Sequence, residues 1–151
     1  MTDPRILGHE AGHLAACLVL GIPIAGASVI PDHDSLGRVN TTYKFEDVEG
    51  ARKVAVMLLC GPIMESRHAQ PDEWPWPLEP DDYDTRLLKK ITDTLRFTNA
   101  DWHGLLSEAY SLTASREFSM LWTGMTGLLD VAPQVGPEQI DLVEQIVRRI
   151  S

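Results

Sequence analysis

Asp3 followed by Pro4 opens a stretch in which apolar residues recur at helical spacing from Ile6 to Leu20, and Gly21 and Pro23 then block its continuation. An Asp at the cap and a Pro at the first helical position set the start; Gly and Pro set the end. The helix so bounded carries His9-Glu10-Ala11-Gly12-His13, and the rest of the fold has to be built around it.

After this helix, Ala25 to Ile30 and Arg38 to Phe45 are rich in β-branched and aromatic residues and flank the turn-forming run from Pro31 to Gly37. They predict two strands of a small antiparallel sheet. Val48 to His68 reads as a second long helix, mostly buried, with Val54, Met57, Leu58 and Met64 among its apolar positions. Gln70 to Pro80 holds four prolines and two tryptophans, Trp74 and Trp76, and is expected to be a loop. Helical periodicity returns from Asp81 to Phe97, with acidic residues at the positive end of the helix dipole. One or two helices are expected between Ala100 and Leu129, and a last one from Pro137 to Ile150 after a break at Pro133 to Gly136. The fold class is therefore α+β, predominantly helical, with a small antiparallel sheet.

The 151 residues suit a single domain, with a motif-bearing part over about 3–98 and a helical C-terminal part over about 99–151. With 13 basic and 22 acidic residues the net charge is -9, which repels a phosphate backbone and disfavours nucleic acid. The apolar run from Leu14 to Ile30 is interrupted at Gly21 and Pro23 and falls short of a membrane span. No secretory signal is visible, so a cytoplasmic location is expected. Cys17 and Cys60 lie in apolar helical patterns and are expected to be buried free thiols.

Histidines at i and i+4 stand on one helix face with Cβ atoms about 5–6 Å apart, and two such imidazoles can reach one ion at Zn–N distances of about 2.0–2.1 Å. His9 and His13 meet that requirement. Glu10, rotated partway around the helix, can stand beside the ion and take a proton from a metal-activated water as general base. Gly12 offers a small side on which a neighbouring element can approach. A catalytic zinc wants a third protein ligand, and Glu65, His68, Asp81, Asp82 and Asp84 are candidates, with His33 and His103 more remote. Composition does not choose among them.

The stretch from Leu7 to Leu88 resembles the peptidase domain of the FtsH-type zinc proteases, which are membrane-anchored, ATP-dependent enzymes. Beyond His-Glu-Ala-Gly-His, Val29-Ile30-Pro31 with Leu36-Gly37 is similar to that family's strand, Ile-Pro turn and Leu-Gly pair. Leu58-Leu59-Cys60-Gly61-Pro62-Ile63-Met64-Glu65 is similar to its helix with Leu-Ala-Gly-Arg-Ala-Ala-Glu. The resemblance implies a zincin-like metallopeptidase domain with Zn2+ held by His9, His13 and an aspartate near the start of the next helix. Asp84 is its counterpart by position, although the family's Gly and Ala are missing before it and a shift of register would select Asp81. Glu65 matches the family's helix glutamate. It is read as accepting a hydrogen bond from a zinc histidine, against direct ligation or an ion pair with Arg67 or another cation.

There is no Gly-x-x-x-x-Gly-Lys phosphate loop, and so no recognisable ATPase module. The expected activity is hydrolysis of peptide bonds in a peptide or protein substrate, ATP-independent in itself, with a homo-oligomer or an adaptor partner left open. The tryptophan loop is placed to border the cleft or to bury its indoles, and the strand from Arg38 can offer an edge to an extended peptide. Two other readings stand beside this one: a catalytically silent metal-containing interaction module, and a zinc hydrolase acting on a non-peptide amide.

Overall fold

The computed structural model describes residues 3–31, 37–41, 47–67 and 83–150. The expected turn over 32–36, the end of the second strand over 42–45, the tryptophan loop, His33, His68, Asp81 and Asp82 lie outside the described residues.

Helix α1 runs Pro4–Leu20. The Asp3 carboxylate accepts from the Arg5 amide at 2.9 Å, Pro4 takes the first helical position, and Gly21 closes the helix at φ 74° with its N–H on the Cys17 carbonyl. A β-carbon is costly in that left-handed conformation and glycine lacks one. Strand β1 spans Ile24–Ser28 and pairs antiparallel with β2, Arg38–Thr41. Helix α2, Val48–Ser66, starts on the Asp47 side chain, which accepts from the Gly50 amide at 2.6 Å, and it runs through Pro62 without ending.

Helix α3 occupies Tyr83–Thr94 and stops before Phe97, short of the expected end. The Phe97 amide donates to the Thr92 carbonyl at 2.9 Å and the Arg96 amide to Asp93 at 3.2 Å, with Arg96 at φ 54°. This is a Schellman termination in which Arg takes the place glycine usually fills. Helices α4, Asn99–Thr113, and α5, Arg116–Val131, are separated by a two-residue link. The Thr98–Asp101 capping box opens α4 and the Ser115 side chain opens α5.

The segment expected as a simple break carries β3, Gln134–Val135, which pairs antiparallel with β1. The sheet order is β2-β1-β3, so β2 is an edge strand. Helix α6, Pro137–Arg149, follows. The expected α+β class, mostly helical with a small antiparallel sheet, is what the structure shows. Among the described residues no helix is long and apolar enough to cross a membrane.

Helix α1 sits at the centre, packed on α2 along one side and on α5 along another, with α4 behind α2. One apolar cluster joins α1, α2, α4 and α5 through Cys17, Leu59, Ile63, Leu105 and Phe118. A second, around Leu14, Ala27, Met125 and Ile140, joins α1 to the sheet, α5 and α6. Burial on several sides explains why α1 is apolar almost all round. It also means that any polar side chain on α1 must find a partner inside the protein.

Candidate metal centre

Three elements converge on the polar residues of α1. His13 is buried and His9 nearly so. The α1 and α2 backbones approach closely where both lack side chains: a β-carbon at Gly12 would lie 2.8 Å from the Cys60 carbonyl oxygen, and one at Gly61 would fall on the His13 ring. The approach expected at Gly12 is therefore made by α2. Gly61 provides the slot that holds the imidazole.

The outer nitrogen of each ring has its own acceptor. His13 Nδ1 lies 2.9 Å from the Met57 carbonyl oxygen, and His9 Nδ1 lies 3.3 Å from Glu65 Oε2. A carbonyl and a carboxylate only accept, so each Nδ1 directs a proton at its partner, and whenever the rings are neutral both Nε2 atoms present lone pairs. Those two Nε2 atoms are 3.0 Å apart. Asp84, from the first turn of α3, sets Oδ2 at 2.7 Å from His13 Nε2 and 2.9 Å from His9 Nε2. Three acceptors thus meet at one point, an arrangement that needs either a proton or a metal cation among them.

The electrostatics agree. Burial would lower the pKa of His9, but hydrogen bonds to Asp84 and Glu65 and the charge of Glu10 raise it well above the ordinary histidine value. Burial likewise opposes His13, and Asp84 with Glu10 again prevails over both burial and His9. Asp84 is held far below the usual carboxylate range, the two histidines outweighing its burial. The cluster has a strong preference for a positive charge at its centre.

The donor set suits zinc. Two imidazole nitrogens and one carboxylate oxygen are its ordinary catalytic ligands, and a tetrahedral site keeps ligand atoms about 3.3 Å apart. The separations here are a few tenths of an ångström shorter and would open slightly around an ion. His9, Glu10 and His13 also form a group able to hold a metal, their ligand atoms all lying within 4.8 Å of one another. Glu10 Oε1 is 3.9 Å from His9 Nε2, farther than Asp84. Of the two carboxylates Asp84 stands closer to the paired nitrogens and Glu10 beside them.

Glu10 is only 4% exposed. It is covered by Gly37, where a β-carbon would stand 2.8 Å from Glu10 Cγ. Glycine immediately before β2 is what lets the edge strand close over this carboxylate. Glu65 stands on the far side of the His9 ring from the converging Nε2 atoms, a place for orienting the ring. The alternative pairing of Glu65 with Arg67 is not formed: Arg67 donates to the Thr113 carbonyl and hydroxyl oxygens on α4. His103 is exposed on α4, away from the cluster.

Sequence reasoning missed three supports. These are the Met57 carbonyl, the Gly61 slot, and Trp122 of α5, whose indole N–H donates to the Gly8 carbonyl at 3.0 Å, just before His9. A backbone acceptor and an absent side chain leave no pattern in composition, and Trp122 is 114 positions from its partner.

Beside His13 and Asp84 lies a cavity of about 280 Å³, bordered by Arg38 to Thr41 of β2 and by Met57, Tyr83 and Leu87. The Arg38 guanidinium lies over the Tyr83 ring, 5.8 Å from its centroid. Cys17 and Cys60 are free and buried. Desolvation pushes the Cys17 thiol up to about 12 and raises Cys60 also, which suits inert packing groups.

No family model matches the chain, and no curated protein matches it either.

Proposed function

We propose that this chain is a zinc-dependent metallopeptidase with a zincin-like domain of the FtsH peptidase type. The observation that carries the reading is the meeting of His9 Nε2, His13 Nε2 and Asp84 Oδ2 within 2.7–3.0 Å of one another, beside the buried carboxylate of Glu10.

His9, His13 and Asp84 would hold the ion, which when bound supplies an acidified water and polarises a carbonyl at neutral pH. Met57 and Glu65 keep the Nδ1 protons in place, so both Nε2 lone pairs stay directed at the centre. Glu10 accepts the proton that the attacking water gives up and returns it to the departing amine. The C–N bond breaks, a carboxylate and an amine leave, and Glu10 ends as it began. Burial beneath Gly37 and β2 keeps this carboxylate close to its task and away from bulk water.

The cavity beside His13 and Asp84 favours a peptide over a compact amide, because its wall is the edge strand β2. An extended chain laid antiparallel or parallel to that edge would gain main-chain hydrogen bonds along its length.

Zinc titration of the metal-stripped protein, followed by a peptide-cleavage assay, tests the reading. One zinc per chain is expected, lost in His9→Ala and His13→Ala, with Glu10→Gln keeping the metal and losing hydrolysis. A Glu10→Gln protein as active as the original would refute the mechanism, and a fully zinc-loaded protein that cleaves nothing would favour an interaction module.

A further inference from the structure

Helix α6 is apolar over more of its surface than the core uses. At 100° per residue, Ile140, Leu142, Val143, Ile146, Val147 and Ile150 cover an arc of about 160°. Ile140 and Val147 are buried and Val143 packs on the core. The other half of the arc faces outward: Leu142 is 58% exposed, Ile146 50% and Ile150 76%. These three follow one another at i, i+4 and i+8, an unbroken apolar stripe along one helix.

The charges beside the stripe indicate what covers it. Glu138 lies in the first turn of α6 and Arg149 in the last. On a helical projection both fall on the same flank of the stripe, 11 positions and about 16 Å apart. Arg148 is engaged within the chain, with Glu117 at 2.8 Å and Glu144 at 3.0 Å; Arg149 is exposed. An antiparallel copy of the same helix is complementary in one register. Setting Leu142 against Ile146 of the second copy brings Glu138 within one residue of the level of Arg149 of that copy, and the twofold axis repeats both contacts. In that register Leu142 and Ile146 of each copy pack together, two ion pairs close the flank and Ile150 lies level with Glu138 of the other copy at the end of the contact, while the opposed helix dipoles favour the antiparallel direction.

We infer that α6 is the contact surface of a symmetric homodimer, two chains pairing antiparallel through Leu142 and Ile146, with Ile150 at the rim and Glu138 of each facing Arg149 of the other. A contact built on one helix from each chain is at the small end of specific interfaces, so the association is expected to be in the micromolar range and reversible. It places no residue in the metal centre and is independent of the proposed activity.

Sedimentation equilibrium of the full chain from roughly 1 to 500 µM reads the association. The expected result is a monomer–dimer equilibrium that Ile146→Glu weakens by at least about tenfold, with unchanged circular dichroism because the residue is exposed. Leu142→Glu should act alike. Glu138→Arg should weaken the dimer by setting like charges opposite, and Glu138→Arg combined with Arg149→Glu should restore it. A monomer at every concentration, including one whose α6 face captures vesicles or a different protein, overturns the inference. So does a dimer indifferent to Ile146→Glu and Leu142→Glu. Failure of the double charge exchange to restore association overturns the antiparallel register.

Discussion

Gly61 of α2 has no side chain where the His13 imidazole lies, and a β-carbon there would overlap the ring. Replacing glycine by alanine inside a helix ordinarily stabilises it by about 0.5–1 kcal/mol. Here the sign should reverse. Gly61→Ala is predicted to destabilise the protein by about 1–3 kcal/mol through overpacking and to weaken zinc binding, because His13 Nε2 is displaced from its partners. Thermal unfolding and zinc titration of the purified variant check both; a more stable variant with full zinc affinity would contradict the slot.

The two carboxylates around His9 should separate by role. Asp84→Asn removes an oxygen that sits on both Nε2 atoms and is predicted to abolish stoichiometric zinc at micromolar metal. Glu65→Gln touches only the outer nitrogen, and loss of such support typically lowers metal affinity about 10–100-fold. Competition titration against a chelator of known affinity measures the difference. Equal losses would mean that Glu65 ligates directly.

The ends of α1 could be read because Asp3 caps through its own side chain and Pro4, Gly21 and Pro23 act through their own backbones, and His9 and His13 because i,i+4 spacing is a property of any helix. Asp84 could not be separated by composition from Asp81 and Asp82; only the order of elements in the resemblance nominated it, and its place is set by how α3 packs on α2. The strand β3 is two residues long and exists through its pairing with β1, which no local pattern announces. Arg96 ends α3 in a conformation that sequence rules reserve for glycine, so the expected helix ran too far.

For metal-free protein, the pH dependence follows from the two kinds of shift. His9 and His13 are raised from 6.5, so their contribution is fully present below about pH 6.5 and is lost as pH climbs through the folded-state values. Asp84 is lowered from 3.8, so its contribution is present above about pH 4 and is lost as pH falls through its folded-state value. Stability from the cluster should therefore be greatest between roughly pH 4 and 6.5 and decline above it. Excess zinc should show the opposite trend, stabilising more as pH rises, since protons and metal compete for the same lone pairs. Melting temperatures at pH 6 and 8 with chelator or with zinc test this; a metal-free protein that gains stability over that interval for which Asp84→Asn shows no gain would contradict it.

Trp122 anchors α5 to the turn that precedes His9 through its indole N–H on the Gly8 carbonyl. Trp122→Phe keeps an aromatic ring but deletes the donor, and is predicted to cost about 1 kcal/mol, or a fall in melting temperature of about 2–4 °C for a chain of this size. Differential scanning calorimetry of the zinc-loaded protein reads it, and an unchanged transition would show the bond to be unimportant.

In the proposed reaction Glu10 turns a metal-activated water on a peptide bond. Its most direct test is to incubate the zinc-loaded protein with a mixed peptide library in 18O-labelled water and to read the new C termini by mass spectrometry. One labelled oxygen is expected to enter each new carboxylate, at a rate at least about 100-fold lower in zinc-loaded Glu10→Gln. Cleavage at the same rate in both proteins, or none by the fully zinc-loaded original across the library, would contradict it.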